Sequence, residues 1–155
     1  MPLRPGVRVV VGELKRGLVL DALALQGMMR GLLQPLLGDK RVYKVFHGHF
    51  NDLAWLHSNF SIVVNPPIID TAASAQDLDG MWEDGQPSLQ TLCREYLNYE
   101  LDKTYQTANW RQRPMPAEML QYAAIDAQVL LPLQAAIEEA MNSRAWGYAW
   151  EKQIL

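Results

Sequence analysis

The chain has 155 residues, of which 49% are hydrophobic and 20% charged, with a formal net charge of -3. That length suits one domain with a sizeable core, and the apolar content excludes a disordered chain. The mild acidity excludes a protein that coats nucleic acid through a basic stripe, yet leaves room for an enzyme that meets nucleic acid through cations held on carboxylates.

Cys93 is the one cysteine. No disulfide within the chain and no cysteine-based zinc site can form, which points to a reducing, intracellular compartment, nuclear or cytoplasmic. No apolar run approaches the roughly 18 residues of a membrane span, so no membrane is expected among the partners. The opening, MPLRPGVRVVVGELKRG, lacks a small-residue cleavage pattern and reads as a strand rather than a signal peptide.

Val7 to Val11 is a β-branched run closed by Gly12. Across the turn GELKRG, Leu18 to Leu20 form a second short strand ending at Asp21, so a hairpin is predicted. Apolar spacing predicts a helix over Ala22 to Leu37, weakened by Gly27 and Gly31. Lys44 to Phe46 is a short strand leading through His47 and Gly48 into a helix over NDLAWLHSNF. Ile62 to Val64 and Ile68 to Ile69 form an extended segment interrupted by Pro66 and Pro67 and ended by Asp70. Thr71 to Leu78 is helical, Asp79 to Pro87 is a loop with Gly80 and Gly85, and Ser88 caps a helix to about Leu97.

Leu101 to Pro114 lacks a clean period and is an ordered loop. Pro116 opens a helix that runs through Tyr122 and Asp126 to about Leu131, where Pro132 should kink it before Leu133 to Met141 continue. Trp146, Tyr148 and Trp150 mark a tail that packs on the domain or on a partner. No internal repeat or linker is visible, and strands alternating with helices give an α/β sheet.

Tyr122 and Asp126 lie four apart, on one helix face. A carboxylate there can hold a divalent cation, and a phenol one turn earlier can orient a water beside it, the pair that metal-assisted phosphodiester hydrolysis needs. Taken alone, the spacing fits as well a half-buried tyrosine beside a solvated aspartate, the commoner case. Asp52 opens the helix after the strand KVFHG, where the helix dipole favours a carboxylate, and simple capping by Asn51 or Asp52 is on local grounds the commoner explanation. His47 and His49 alternate, which argues against a shared metal site and for a structural His47. Lys103, Arg111 and Arg113 interleave with Tyr105 and Trp110, a pattern for phosphate contact and base stacking or for a loop pinned by its aromatics. Cys93 lies in an apolar helical stretch and reads as core. Neither a phosphate-binding glycine loop nor a GxSxG elbow is present.

In order, KVFHGHFNDLAWL, IIDTAASAQDL, SLQTLCREYL, LDKTYQTANWRQRPM and QYAAIDAQVLLPL resemble successive segments of RNase D-like 3'–5' exonuclease domains. The last carries the Tyr-x-x-x-Asp motif of the tyrosine (DEDDy) branch of the DEDD superfamily, and the wording is most similar to the eukaryotic nuclear-exosome exonuclease. The resemblance covers roughly Leu18 to Ala140. It implies a single 3'–5' exonuclease-like domain over residues 1–155, with an RNase H-like mixed sheet flanked by helices. It implies hydrolysis at the 3' ends of single-stranded nucleic acid, in RNA processing more than on DNA, with two Mg2+ or Mn2+ ions. Asp126 would be a direct metal ligand, Asp52 would act through metal-bound water, and Tyr122 would orient the attacking water. His47, Lys103, Trp110, Arg111 and Arg113 become the candidates for nucleic-acid contact.

One family motif has no match: the Asp-x-Glu of the first, central strand. VRVVVGELKRGLVLDALAL aligns best with the strands and helix that follow that motif, as if the domain were truncated on its N-terminal side. A second alignment sets Val11, Gly12 and Glu13 there and keeps only Glu13. A strand from a second copy or from a partner chain would then complete the sheet. This departure implies weak or absent cutting by the chain alone. Its rival is a catalytically degenerate domain kept to bind nucleic acid or protein.

Overall fold

The computed structural model describes residues 7–9, 17–79 and 85–151. Among these, β1 (Val7–Val9) and β2 (Leu18–Leu20) form the predicted antiparallel hairpin, with Val7 opposite Leu20. The rest of the expected strand to Val11, the GELKRG turn up to Arg16 with its Glu13, Gly80 and the side chains of Trp146, Tyr148 and Trp150 lie outside the described residues.

The first helix starts later than the apolar period suggests: α1 is Met29–Leu37. Residues 22–28 form hydrogen-bonded turns instead. The Asp21 carboxylate accepts from the amides of Leu23 and Ala24, and the Asp21 carbonyl accepts from Leu25. This local bonding competes with helix, and Gly27 offers no side chain to resist it.

β3 (Lys44–Phe46) and β4 (Ile68–Asp70) pair in parallel, with Phe46 opposite Asp70, and α2 (Phe50–Phe60) forms the crossover between them. Lys44 is buried, and its ammonium donates to the carbonyls of Asp39 and Val42 at 2.7 Å each. The segment around Ile62 to Val64 is extended without joining a ladder. Val63 exchanges two 2.9 Å hydrogen bonds with the Gln34 side chain, and the Asn65 amide donates to Leu37, so α1 takes up its backbone groups.

Next come α3 (Thr71–Asp79) and α4 (Leu89–Leu97), the latter capped as expected by Ser88, whose hydroxyl accepts from the Thr91 amide at 3.1 Å. The expected kink shows as a one-residue interruption at Val129, whose amide still donates to Ile125 and whose carbonyl still accepts from Leu133. α5 (Ala117–Gln128) stops and α6 (Leu130–Glu151) begins, so that Pro132 falls in a first turn. A continuous helix would need Pro132 to donate to Gln128, and proline has no N–H to give.

Two apolar clusters carry the core. Met29, Leu33, Leu37, Leu56, Phe60 and Ile62 join α1 to α2. Ala75, Leu92, Cys93, Val129, Leu133 and Ile137 join α3 and α4 to α6. The hairpin lies against α5 and β3 against α6, so both two-stranded sheets rest on one helical layer. The result is the mixed α/β architecture that the sequence implies. Among the described residues no helix is long and apolar enough to cross a membrane.

Candidate active site

Asp52 stands in the first turn of α2, and the start of that helix is tied down by a residue to which the sequence reading gave no role. Asp70 ends β4, level with Phe46, and is buried. Its carboxylate accepts from the amides of Gly48 at 3.0 Å, His49 at 2.8 Å and Ala72 at 2.9 Å, and from the His49 ring at 2.5 Å. Burial pushes the Asp70 carboxyl up, but the donors from His49, Gly48 and Ala72 outweigh it and hold the group at about 2. Gly48 takes φ +64, a left-handed turn that aims its amide at this carboxylate. The visible signal was the Asp-Thr pair closing an extended run. Nothing in the spacing said which turn it would meet.

His47 belongs to the same knot. Its Nδ1 lies 2.9 Å from the Thr71 hydroxyl, which donates onward to the Phe46 carbonyl. Which of Nδ1 and the hydroxyl donates depends on the imidazole tautomer, since a neutral ring carries one N–H. Burial pushes the His47 ring below its ordinary value, against the Asp70 charge and the Pro87 carbonyl. The imidazole is neutral near pH 7 and is engaged within the fold.

Tyr122 and Asp126 lie one turn apart on α5, both half-buried. Tyr122 packs against two rings of the preceding loop, Tyr105 at 6.0 Å and 70°, and Trp110 at 5.9 Å and 44°. The Trp110 indole N–H donates to the Tyr105 carbonyl at 3.1 Å. Asp126 lies on the side of Cys93, whose thiol is raised to about 11 by burial and by the Asp126 charge. Asp52 thus rides on a helix of the first apolar cluster, whereas Asp126 sits beside the second.

The loop over residues 101–114 is ordered, as expected, through its own turns at Lys103–Gln106, Tyr105–Ala108 and Asn109–Gln112. Arg113 reaches back to Asp21 with two 2.7 Å hydrogen bonds, which lower the Asp21 carboxyl to about 2. Lys103 and Arg111 are exposed. As hard oxygen donors, Asp52 and Asp126 suit a magnesium-like cation, which is commonly held by one or two carboxylates with water and phosphate oxygens completing the shell. Among the described residues, no three of His, Cys, Asp and Glu gather into a larger ligand set.

A family model described as 3'-5' exonuclease matches residues 10–142. Human exosome complex component 10 is 36% identical over 138 residues, which is 88% of this chain and 15% of that protein. Ribonuclease D of Haemophilus influenzae is 35% identical over 114 residues, covering 74% of this chain and 28% of that protein. The catalytic core of RRP6 from Trypanosoma brucei superposes with a TM-score of 0.69 at 33% identity, over 81% of this chain and 33% of that one. NrnC of Brucella melitensis with bound Mg2+ superposes with a TM-score of 0.59 at 27% identity, over 71% of this chain and 51% of that one. The chain therefore spans only a fraction of the length of these relatives.

Proposed function

Because this chain belongs to the 3'–5' exonuclease family, we propose that it hydrolyses phosphodiester bonds at the 3' ends of single-stranded RNA, as an RNase D-type domain. The observation that carries this reading is Tyr122, packed against Tyr105 and Trp110 one helical turn before Asp126. Asp126 and Asp52 would hold Mg2+ or Mn2+, Asp126 directly and Asp52 through water. A cation there would polarise a phosphate oxygen and make a nearby water more acidic. Tyr122 directs its hydroxyl at that water, and the phenol orients it without becoming covalently bound to the substrate.

Of the five residues expected to contact nucleic acid, the exposed cations Lys103 and Arg111 are assigned to phosphates. His47, Trp110 and Arg113 already have partners within the fold.

Among the described residues the candidate ligands are Asp52 and Asp126, few for two cations, so slow cutting is the expected behaviour of the chain. The test is a 5'-labelled single-stranded RNA with Mg2+ or Mn2+. We expect a slow ladder shortening from the 3' end, abolished by Asp126→Ala and by chelation. A ladder that survives Asp126→Ala refutes the site. RNA binding with no metal-dependent cleavage supports the rival, a binding module on the same fold.

A further inference from the structure

We propose that Tyr105 and Trp110 are positioning residues for Tyr122, and that the loop over residues 101–114 serves the reaction chiefly by fixing where the Tyr122 hydroxyl points. This rests on the exonuclease reading above and deepens it. A tyrosine hydroxyl is aimed by two side-chain torsions, and packing against the ring narrows the directions those torsions allow. Here the Tyr122 ring meets Tyr105 nearly edge-on at 70° and Trp110 at a 44° tilt. Both separations lie in the usual range for attractive aromatic pairs. Two ring contacts at different tilts restrain the phenol more than a single one would.

The clamp is itself held. The Trp110 indole N–H donates to the Tyr105 backbone carbonyl, which fixes the Trp110 ring against the loop's own backbone. At one end of the loop, Leu101 is buried in the α3–α4–α6 cluster and its carbonyl accepts from Gln90. At the other, Arg113 grips Asp21, at the end of β2. A platform anchored at both ends can hold a catalytic hydroxyl within the fraction of an ångström that orienting a water demands. Base stacking by Trp110 would compete with its packing on Tyr122.

The test uses the full chain and the variants Trp110→Leu, Trp110→Phe, Tyr105→Leu and Tyr122→Phe. Two readouts are followed: steady-state RNA shortening in Mn2+, and the 19F spectrum of protein labelled with 3-fluorotyrosine, with the Tyr122 line assigned by its loss in Tyr122→Phe. Trp110→Leu should lower kcat by roughly tenfold or more, as expected for a displaced reacting group, while KM and RNA affinity by anisotropy stay within about twofold. Trp110→Phe restores a ring and should recover most of the rate. The Tyr122 line should move in Trp110→Leu and in Tyr105→Leu, and stay in place in Arg111→Ala. Adding Trp110→Leu to Tyr122→Phe should cost nothing further, because both remove one function. Weakened RNA binding with unchanged kcat in Trp110→Leu overturns the proposal and makes Trp110 a base contact. An unmoved Tyr122 line overturns it as well. A parent chain that binds RNA without metal-dependent cleavage fails the underlying reading, and the positioning role with it.

Discussion

Asp70 is buried with four donors aimed at it, from Gly48, His49 and Ala72. Its carboxyl lies at about 2 instead of 3.8, so the ionised form binds protons less readily in the folded state than in the unfolded one. The resulting stability, about 2 kcal/mol, is fully present above pH ~4 and is lost as the pH falls through about 2. Urea unfolding between pH 2 and 6 should show that acid limb, and Asp70→Asn should flatten it while lowering stability at pH 7 by roughly 1–3 kcal/mol. Cys93 offers a second readout. With its thiol raised to about 11 by burial and by Asp126, it should react far more slowly with a disulfide reagent at pH 8 in the folded chain than after unfolding. Asp126→Asn removes the charge contribution and should lower that pKa, measured by the ultraviolet absorbance of the thiolate.

At the scale of elements, end signals decide more than propensity does. Ser88 accepts from the Thr91 amide and starts α4 where the sequence places it, so Ser88→Ala should cost about 1 kcal/mol in urea unfolding. Pro132 separates α5 from α6 because Gln128 would have no donor above it. The late start of α1 follows from Asp21, whose carboxylate bonds the Leu23 and Ala24 amides and also meets Arg113. That ion pair joins groups about one third exposed. A double-mutant cycle of Asp21→Ala with Arg113→Ala should therefore give a coupling of only about 0–1 kcal/mol, reduced by salt.

Over the whole molecule, the two apolar clusters set stability. Leu133 is fully buried among α3, α4 and α6, so Leu133→Ala should lower stability by roughly 2–5 kcal/mol. The sequence by itself determined what depends on near neighbours along the chain: the hairpin strands, the Ser88 cap, the helix that puts Tyr122 and Asp126 on one face, and, through the order of its motifs, the family. It left Tyr122 and Asp126 open between a catalytic pair and a bland one, because a spacing of four says nothing about what packs against the face. Closure of the fold alone brings Tyr105 and Trp110 against Tyr122, turns Arg113 back to Asp21 and sets Asp70 to anchor the turn ahead of Asp52. The Arg113 and Asp70 contacts join groups 92 and 21 residues apart in the chain. Local periodicity carries no record of such distances, and only closure of the fold makes the partners neighbours.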